Sequence, residues 1–202
     1  RADIKIISDS SAIGSRGKLT VKGSDAETSK LSVEAQISNS SAILAEDVTV
    51  EDIEINTRKT AESITATNSV IIKNAKISLS DCQIGIKTFP NYSEPSVGEI
   101  IIENSKINIT AYQAAIATFK GNITVTDSEL NIETEGIGID AEARDAEARG
   151  AEGEEETTET AGHITISGGT LKIATESCCL AGIVSLSDVD FDLRSNGGTF
   201  YN

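Results

Sequence analysis

Aliphatic residues recur along the chain in pairs separated by a single residue, and the pairs themselves come in twos. Ile100 and Ile102 are followed by Ile107 and Ile109; Val70/Ile72 leads in the same way to Ile77/Leu79. The offset returns at Ile123/Val125 with Leu130/Ile132, at Ile164/Ile166 with Leu171/Ile173, and at Val184/Leu186 with Phe191/Leu193. Looser copies precede these: Val48/Val50 with Ile55/Thr57, Leu19/Val21 with Leu31/Val33, and Ile4/Ile6 at the start. Strict alternation over a short run is the signature of a strand with one buried face, because strand side chains have a period of two. A third short run fits between copies, at Ile84/Ile86, Ala114/Ile116, Ile137/Ile139 and Cys178/Leu180. The intervals between copies run from 15 to 41 residues around a constant motif. That combination means fixed strands joined by loops of variable length. Three strands per copy and a basal period of about 22 describe one turn of a parallel β-helix, whereas a propeller blade needs about 40 residues and four strands. The chain reads as one domain, 1–202, of about eight rungs, with loop insertions at 87–99 and 140–162.

The corners support the strands independently. Two residues past the second inward position of the first strand stand Ser8, Gly23, Asp52, Asn74, Asn104, Asp127, Gly168 and Asp188. All are residues that tolerate a left-handed backbone or hydrogen-bond their own turn. Rungs stacked about 4.8 Å apart would bring these corners into a column. This resembles the asparagine-ladder corner of the pectate-lyase-like superfamily, and the resemblance implies an all-β, right-handed, single-stranded parallel β-helix.

Parity then assigns the outward residues. On the third strand they are Ala12, Ala42, Ser63, Gly85, Ala115, Gly138 and Cys179, all small. Enzymes of the resembled fold carry acidic, basic or imidazole groups on or beside that strand. Their absence here argues against lyase or hydrolase chemistry, and the expectation is a smooth floor or a surface beneath folded loops. The first strand shows Lys5, Thr20, Thr49, Ile71, Ile101, Thr124, Thr165 and Ser185 outward. A threonine column suits ice, but such faces need a second rank, and β-branched residues are ordinary on strands. The second strand shows Ser32, Asn56, Ser78, Asn108, Asn131, Lys172 and Asp192, which reads as a solvated polar face.

Both insertions follow the third strand. Segment 87–99, KTFPNYSEPSVGE, holds both prolines with Phe89 and Tyr92, and Tyr112 and Phe119 follow on the next rung. Aromatic faces suit the apolar face of a sugar ring. The candidate ligand-binding residues are therefore Lys87, Phe89, Tyr92, Tyr112, Phe119 and Lys120; the competing reading is that these rings cap the core edge. Segment 140–159 carries nine acidic residues and two arginines. Such a stretch cannot bury enough apolar surface to offset its ordering entropy. Asp140, Glu142 and Asp145 are weak candidates for calcium, which prefers hard oxygen ligands.

Composition narrows the rest. The chain of 202 residues has 32 acidic against 17 basic residues, a formal charge of −15, which disfavours a nucleic-acid partner. Aromatics are only 3%, so Ile, Val and Leu must supply the core. No apolar run is long enough for a membrane span and no signal peptide is present. With no Met anywhere, the chain reads as a processed segment. His163 is the one histidine and begins a strand, where an exposed position is the expectation. Cys82, Cys178 and Cys179 lack zinc spacing; Cys178 falls on an inward position about three rungs from Cys82, beyond disulfide reach. Unpaired thiols fit a reducing or anaerobic setting. Sequons at Asn39, Asn91, Asn108 and Asn122 are accounted for by chance in an Asn/Ser/Thr-rich chain.

The segments GHITISGGTLKI (162–173), KGNITVTDSELNI (120–132) and EGIGID (135–140) resemble rungs of secreted bacterial β-helix proteins. Among those are the non-catalytic carbohydrate-binding β-helix proteins secreted by Clostridia. The resemblance implies binding of acidic plant polysaccharide and calcium without lyase activity, outside the cell or at its surface. Expected partners are a polysaccharide or host glycan along the loop-flanked third-strand face. The alternative is an adhesin-like stalk making protein contacts, and third a lyase-like enzyme. Flanking domains or a neighbouring chain are expected to cap the ends, since bare strand edges invite pairing.

Overall fold

The computed structural model describes residues 2–8, 10–35, 40–89, 98–119, 121–142 and 162–201. The strands in chain order are β1 (Ala2–Ser8), β2 (Ile13–Gly14), β3 (Lys18–Lys22), β4 (Ser29–Ala35), β5 (Ser41–Glu51) and β6 (Glu54–Arg58). Then come β7 (Glu62–Lys73), β8 (Lys76–Thr88), β9 (Glu99–Glu103), β10 (Lys106–Thr118), β11 (Asn122–Thr134) and β12 (Ile137–Asp140). The last are β13 (His163–Thr175), β14 (Cys178–Ala181), β15 (Ile183–Ser187), β16 (Asp190–Ser195) and β17 (Gly198–Tyr201). No helix occurs among the described residues. The strands form one sheet of seventeen that closes around a common aliphatic interior.

Pairing is parallel and follows three ladders. Ladder one aligns Leu19, Val48, Val70, Ile100, Ile123, Ile164 and Val184. Ladder two aligns Ile4, Leu31, Ile55, Ile77, Ile107, Leu130, Leu171 and Phe191. Ladder three aligns Ile13, Ile43, Ile64, Ile86, Ile116, Ile139, Leu180 and Phe200. Each aliphatic pair of the sequence motif thus sits beside its counterpart in the next copy. Between the two ends their side chains are almost completely buried. Each buried Ile or Leu contributes about 1.5–3 kcal/mol of transfer free energy.

Two columns of left-handed residues turn the chain. Asp52, Asn74, Asn104, Asp127, Gly168 and Asp188 have positive φ at the corner from ladder one to ladder two. Lys59 and Asp81 do the same from ladder two to ladder three. Inside the first corner, hydroxyls link successive rungs: the Ala75 amide donates to Ser105 Oγ and the Ser105 amide to Ser128 Oγ, each at 3.1 Å. The expected column holds except at its start. Ser8 lies within β1, opposite Ala35, because Ile4, Lys5 and Ile6 belong to ladder two and not to ladder one. Gly23 lies outside the left-handed region; it is glycine because a Cβ there would stand 2.2 Å from the Asp52 carbonyl oxygen.

The small residues of the third strand lie inside the molecule, contrary to the parity expectation for them. Ala42, Ser63, Ala115 and Cys179 are buried to 1% exposure or less, and so are the adjacent Ile43, Ile64, Ile116 and Leu180. A Cβ on Gly85 would lie 2.8 Å from Ile109 Cγ2, and one on Gly138 2.7 Å from Ile173 Cγ2. Both glycines therefore face the aliphatic column of ladder two. Two successive inward residues break the alternation, and Ile84, Ile137 and Cys178 are correspondingly only half-buried. The chain bends there, and only small side chains fit against the ladder-two isoleucines. Buried hydroxyls close the polar gap in one rung: Thr57 Oγ1 donates to Ser63 Oγ at 2.8 Å, and Thr60 pairs with the same hydroxyl at 2.8 Å.

Candidate functional site

With the third-strand column inside, the outward surface richest in polar side chains is ladder two. Its central column, in register, is Lys5, Ser32, Asn56, Ser78, Asn108, Asn131, Lys172 and Asp192. Five successive rungs, from Ser32 to Asn131, place an uncharged amide or hydroxyl at its centre. Parallel strands repeat equivalent side chains every 4.8 Å or about that. These groups therefore form a track that crosses the strands. Local depressions along it include one of about 380 Å³ that reaches from Asn108 and Asn131 to Lys172 and Arg194. Another lies among Ser32, Asn56, Arg58 and Ser78.

The flanks are charged but balanced. On one side the column reads Lys30, Glu54, Lys76, Lys106 and Glu129; on the other it includes Glu34, Arg58 and Glu133. Four cations stand against four carboxylates, although the whole chain carries −15. Lys30 Nζ lies 2.6 Å from Glu54 Oε1, and Lys106 Nζ lies 2.9 Å from Glu129 Oε1, each across adjacent rungs. Lys106 and Asn131 hold the Glu129 carboxyl below the usual carboxylate range; Lys30 and Asn56 do the same for Glu54. Glu54 and Glu129 thus keep their charge, and their pairing with Lys30 and Lys106, into mildly acidic pH.

Those carboxylates also orient the amides. Asn56 Nδ2 donates to Glu54 Oε1 at 2.8 Å. Asn131 Nδ2 donates to Glu129 Oε1 at 3.0 Å and to Asn108 Oδ1 at 3.1 Å. The amide oxygens of Asn56 and Asn131 and the amide nitrogen of Asn108 keep hydrogen-bonding capacity toward solvent. A polymer rich in hydroxyl groups matches that mixture of donors and acceptors. From the sequence alone this column reads as a solvated polar face. In register, what distinguishes it is that five consecutive outward positions carry no charge in a chain that is about one-quarter charged residues.

The residues singled out from the sequence fall in several places. Thr88 and Thr118 are register partners, so Phe89 and Phe119 follow equivalent positions on adjacent rungs at the far end of ladder three. Lys87 stands 5.6 Å above the Phe89 ring, within cation–π range, and 3.0 Å from Glu62. Tyr112 lies away from this group, at the opposite end of the ladder-three segment of β10. It is 52% exposed and edges a depression with Glu133 and Glu135, continuous with the ladder-two face. The expected aromatic grouping is therefore divided between two corners. Tyr92 and Lys120 lie outside the described residues, as does Asp145.

Asp140 ends β12, and its Oδ1 accepts the amide of Glu142, two residues beyond the strand, at 2.8 Å. Burial pushes the Asp140 carboxyl up to about 6. No group of three metal-ligating side chains occurs among the described residues. His163 is exposed as expected, and its amide donates to Asn122 Oδ1 at 3.3 Å. The three cysteines are free. Cys179, rather than Cys178, is the fully buried member of its pair, for the same reason that Gly138 is interior.

No curated protein and no solved structure matches the chain. A family profile does, over residues 5–201, and its description is "Carbohydrate-binding domain-containing protein". On that match across nearly the whole length, the chain belongs to this family of carbohydrate-binding domain-containing proteins.

Proposed function

We propose that the chain is a non-catalytic polysaccharide-binding module, and that its polymer lies along ladder two, crossing the rungs. The observation that carries this reading is the uninterrupted column Ser32, Asn56, Ser78, Asn108 and Asn131, with its balanced flanks. The three ladders support a single-stranded parallel β-helix of about eight rungs and three strands per rung. A right-handed coil is the hand that parallel crossovers adopt in nearly all cases. Stacked at about 4.8 Å, eight rungs give a rod of about 38 Å, long enough for several sugar units. A module of this kind acts where polysaccharide is met, outside the cell or on its surface.

This places the ligand on a different face from the one expected from parity, because the small third-strand residues are interior. The corner of Lys87, Phe89 and Phe119 remains a second contact surface, favoured by the cation–π pair there. Calcium at Asp140 and Glu142 belongs to the same proposal as an accessory. Each sugar gains only a few hydrogen bonds, worth about 0.5–1.5 kcal/mol apiece. Affinity must then accumulate over many rungs, and short oligosaccharides bind weakly.

The test is binding of the chain to a panel of plant and host polysaccharides, with calcium and with chelator, alongside the Asn108→Ala/Asn131→Ala variant. Retention by at least one polymer, and a loss of about tenfold in the variant, is the expected result. Binding that the variant leaves unchanged would move the site to the Lys87 corner. Binding to no polymer would leave the stalk reading.

A further inference from the structure

The central column of ladder two has a side groove. Beside Asn108, Asn131 and Lys172, the next outward positions in register are Thr110, Glu133 and Ala174. Ala174 offers only a methyl group where the rungs on either side carry Glu133 and Arg194, so the wall of the track is low there. A depression of about 360 Å³ opens over it and leads along the strands to Tyr112, Glu135 and Glu176. It shares Thr110, Glu133 and Ala174 with the depression over Asn108, Asn131 and Lys172, and the two make one angled groove. The step from Asn108 to Tyr112 is about 13 Å of strand.

Tyr112 ends this groove on an inner rung. β10 is paired on both sides, with β8 and β11, so the 52% exposure of Tyr112 is that of an outer surface. The corner behind it is built without slack. The Gly136 amide donates to Thr134 Oγ1 at 3.2 Å, and the Ser177 amide donates to Thr175 Oγ1 at 3.0 Å. A Cβ on Gly136 would stand 1.8 Å from the Gln113 carbonyl oxygen, so successive rungs pack backbone against backbone there. Glu133, Glu135 and Glu176 form no ion pair among the described residues, which leaves their oxygens to accept from a ligand.

We propose that the polysaccharide on ladder two is a branched one: its backbone follows the asparagine column, and a neutral side sugar passes over Ala174 and stacks on Tyr112. This rests on the reading of ladder two as the polymer site. The column continues past the junction on both sides, from Ser78 through Asn108 and Asn131 to Lys172, so a chain that follows it runs on across the rungs. What enters the side groove is then a substituent of that chain. An aromatic face suits the apolar face of a sugar ring, and the carboxylates accept from its hydroxyl groups. The same carboxylates repel an acidic substituent, which sets the branch as uncharged.

Affinity electrophoresis in galactomannan, arabinoxylan and arabinan, each against its enzymatically debranched form, tests it. The branched member of at least one pair should bind about tenfold more tightly than its debranched form. Tyr112→Ala should bring the branched member down to the affinity of the debranched one, and Tyr112→Phe should keep the preference, since stacking does not need the hydroxyl. Ala174→Gln, which raises the low point of the wall, should also abolish the preference. Both positions are exposed, and each variant is to show an unchanged circular dichroism spectrum and unfolding midpoint. Asn108→Ala/Asn131→Ala should weaken both members of a pair. Equal binding of the two members, or a preference that Tyr112→Ala leaves intact, would overturn the branch site and leave the ladder-two reading standing. Retention of no polymer by the wild-type chain would overturn both.

Discussion

Gly85 and Gly138 mark where the third strand packs directly against ladder two. Each sits where a Cβ would collide with a ladder-two isoleucine and with a backbone oxygen at 2.5 Å. Overpacking of this kind costs about 1–3 kcal/mol. Gly138→Val should lower the urea midpoint accordingly, whereas Thr124→Val, on the half-buried outer side of ladder one, should leave it nearly unchanged. Asp140 supplies a pH signature. Its folded pKa of about 6 lies above the ordinary carboxylate value, so the unfolded chain loses that proton first as pH rises. Stability therefore falls between about pH 4 and pH 6 and stays lower above it. Asp140→Asn should remove this slope and raise stability at pH 7 by on the order of 1–2 kcal/mol, read from unfolding midpoints at the two pH values. The sequence showed that these third-strand side chains were small but not which way they pointed. Alternation fixes direction only while a strand stays straight, and the bend at Ala115–Ile116 turns two successive residues inward.

At the scale of the element, the corner from ladder one to ladder two is the most testable unit. Asn104 has a φ of 46°, in the region that costs an ordinary residue roughly 1–2 kcal/mol. Asn104→Ala should destabilise by about that much and Asn104→Gly by far less, a contrast that thermal unfolding resolves. Ile102→Ala, in the fully buried column of ladder one, should cost about 2–5 kcal/mol. These strands and corners were legible because each rests on a local rule: period two for the strand, left-handed tolerance for the turn. Ile4 and Ile6 read from the sequence as part of ladder one but lie on ladder two, because a Φ-x-Φ pair looks the same on every face. What distinguishes ladders is the loop that follows, and Ser8 has no Φ-x-Φ partner at the usual offset. The ladder-two face has no local rule of this kind. A column of Asn and Ser looks like ordinary solvation until the register brings five of them together.

Across the whole molecule, charge is distributed unevenly. Residues 140–159 alone hold −7 of the total −15, while the middle of the ladder-two track is balanced. Polymer binding on that track should therefore change little between low and high salt, in contrast with a site that relies on unpaired charge. An affinity that fell steeply with salt would point to the cations at the rim, Lys5 and Lys172. The most direct measurement is the shift of side-chain amide resonances by NMR as a polysaccharide retained by the chain is added. Asn56, Asn108 and Asn131 should respond together, with saturation at the same polymer concentration. Perturbation confined to the Lys87, Phe89 and Phe119 corner, with those three amides unmoved, would contradict it.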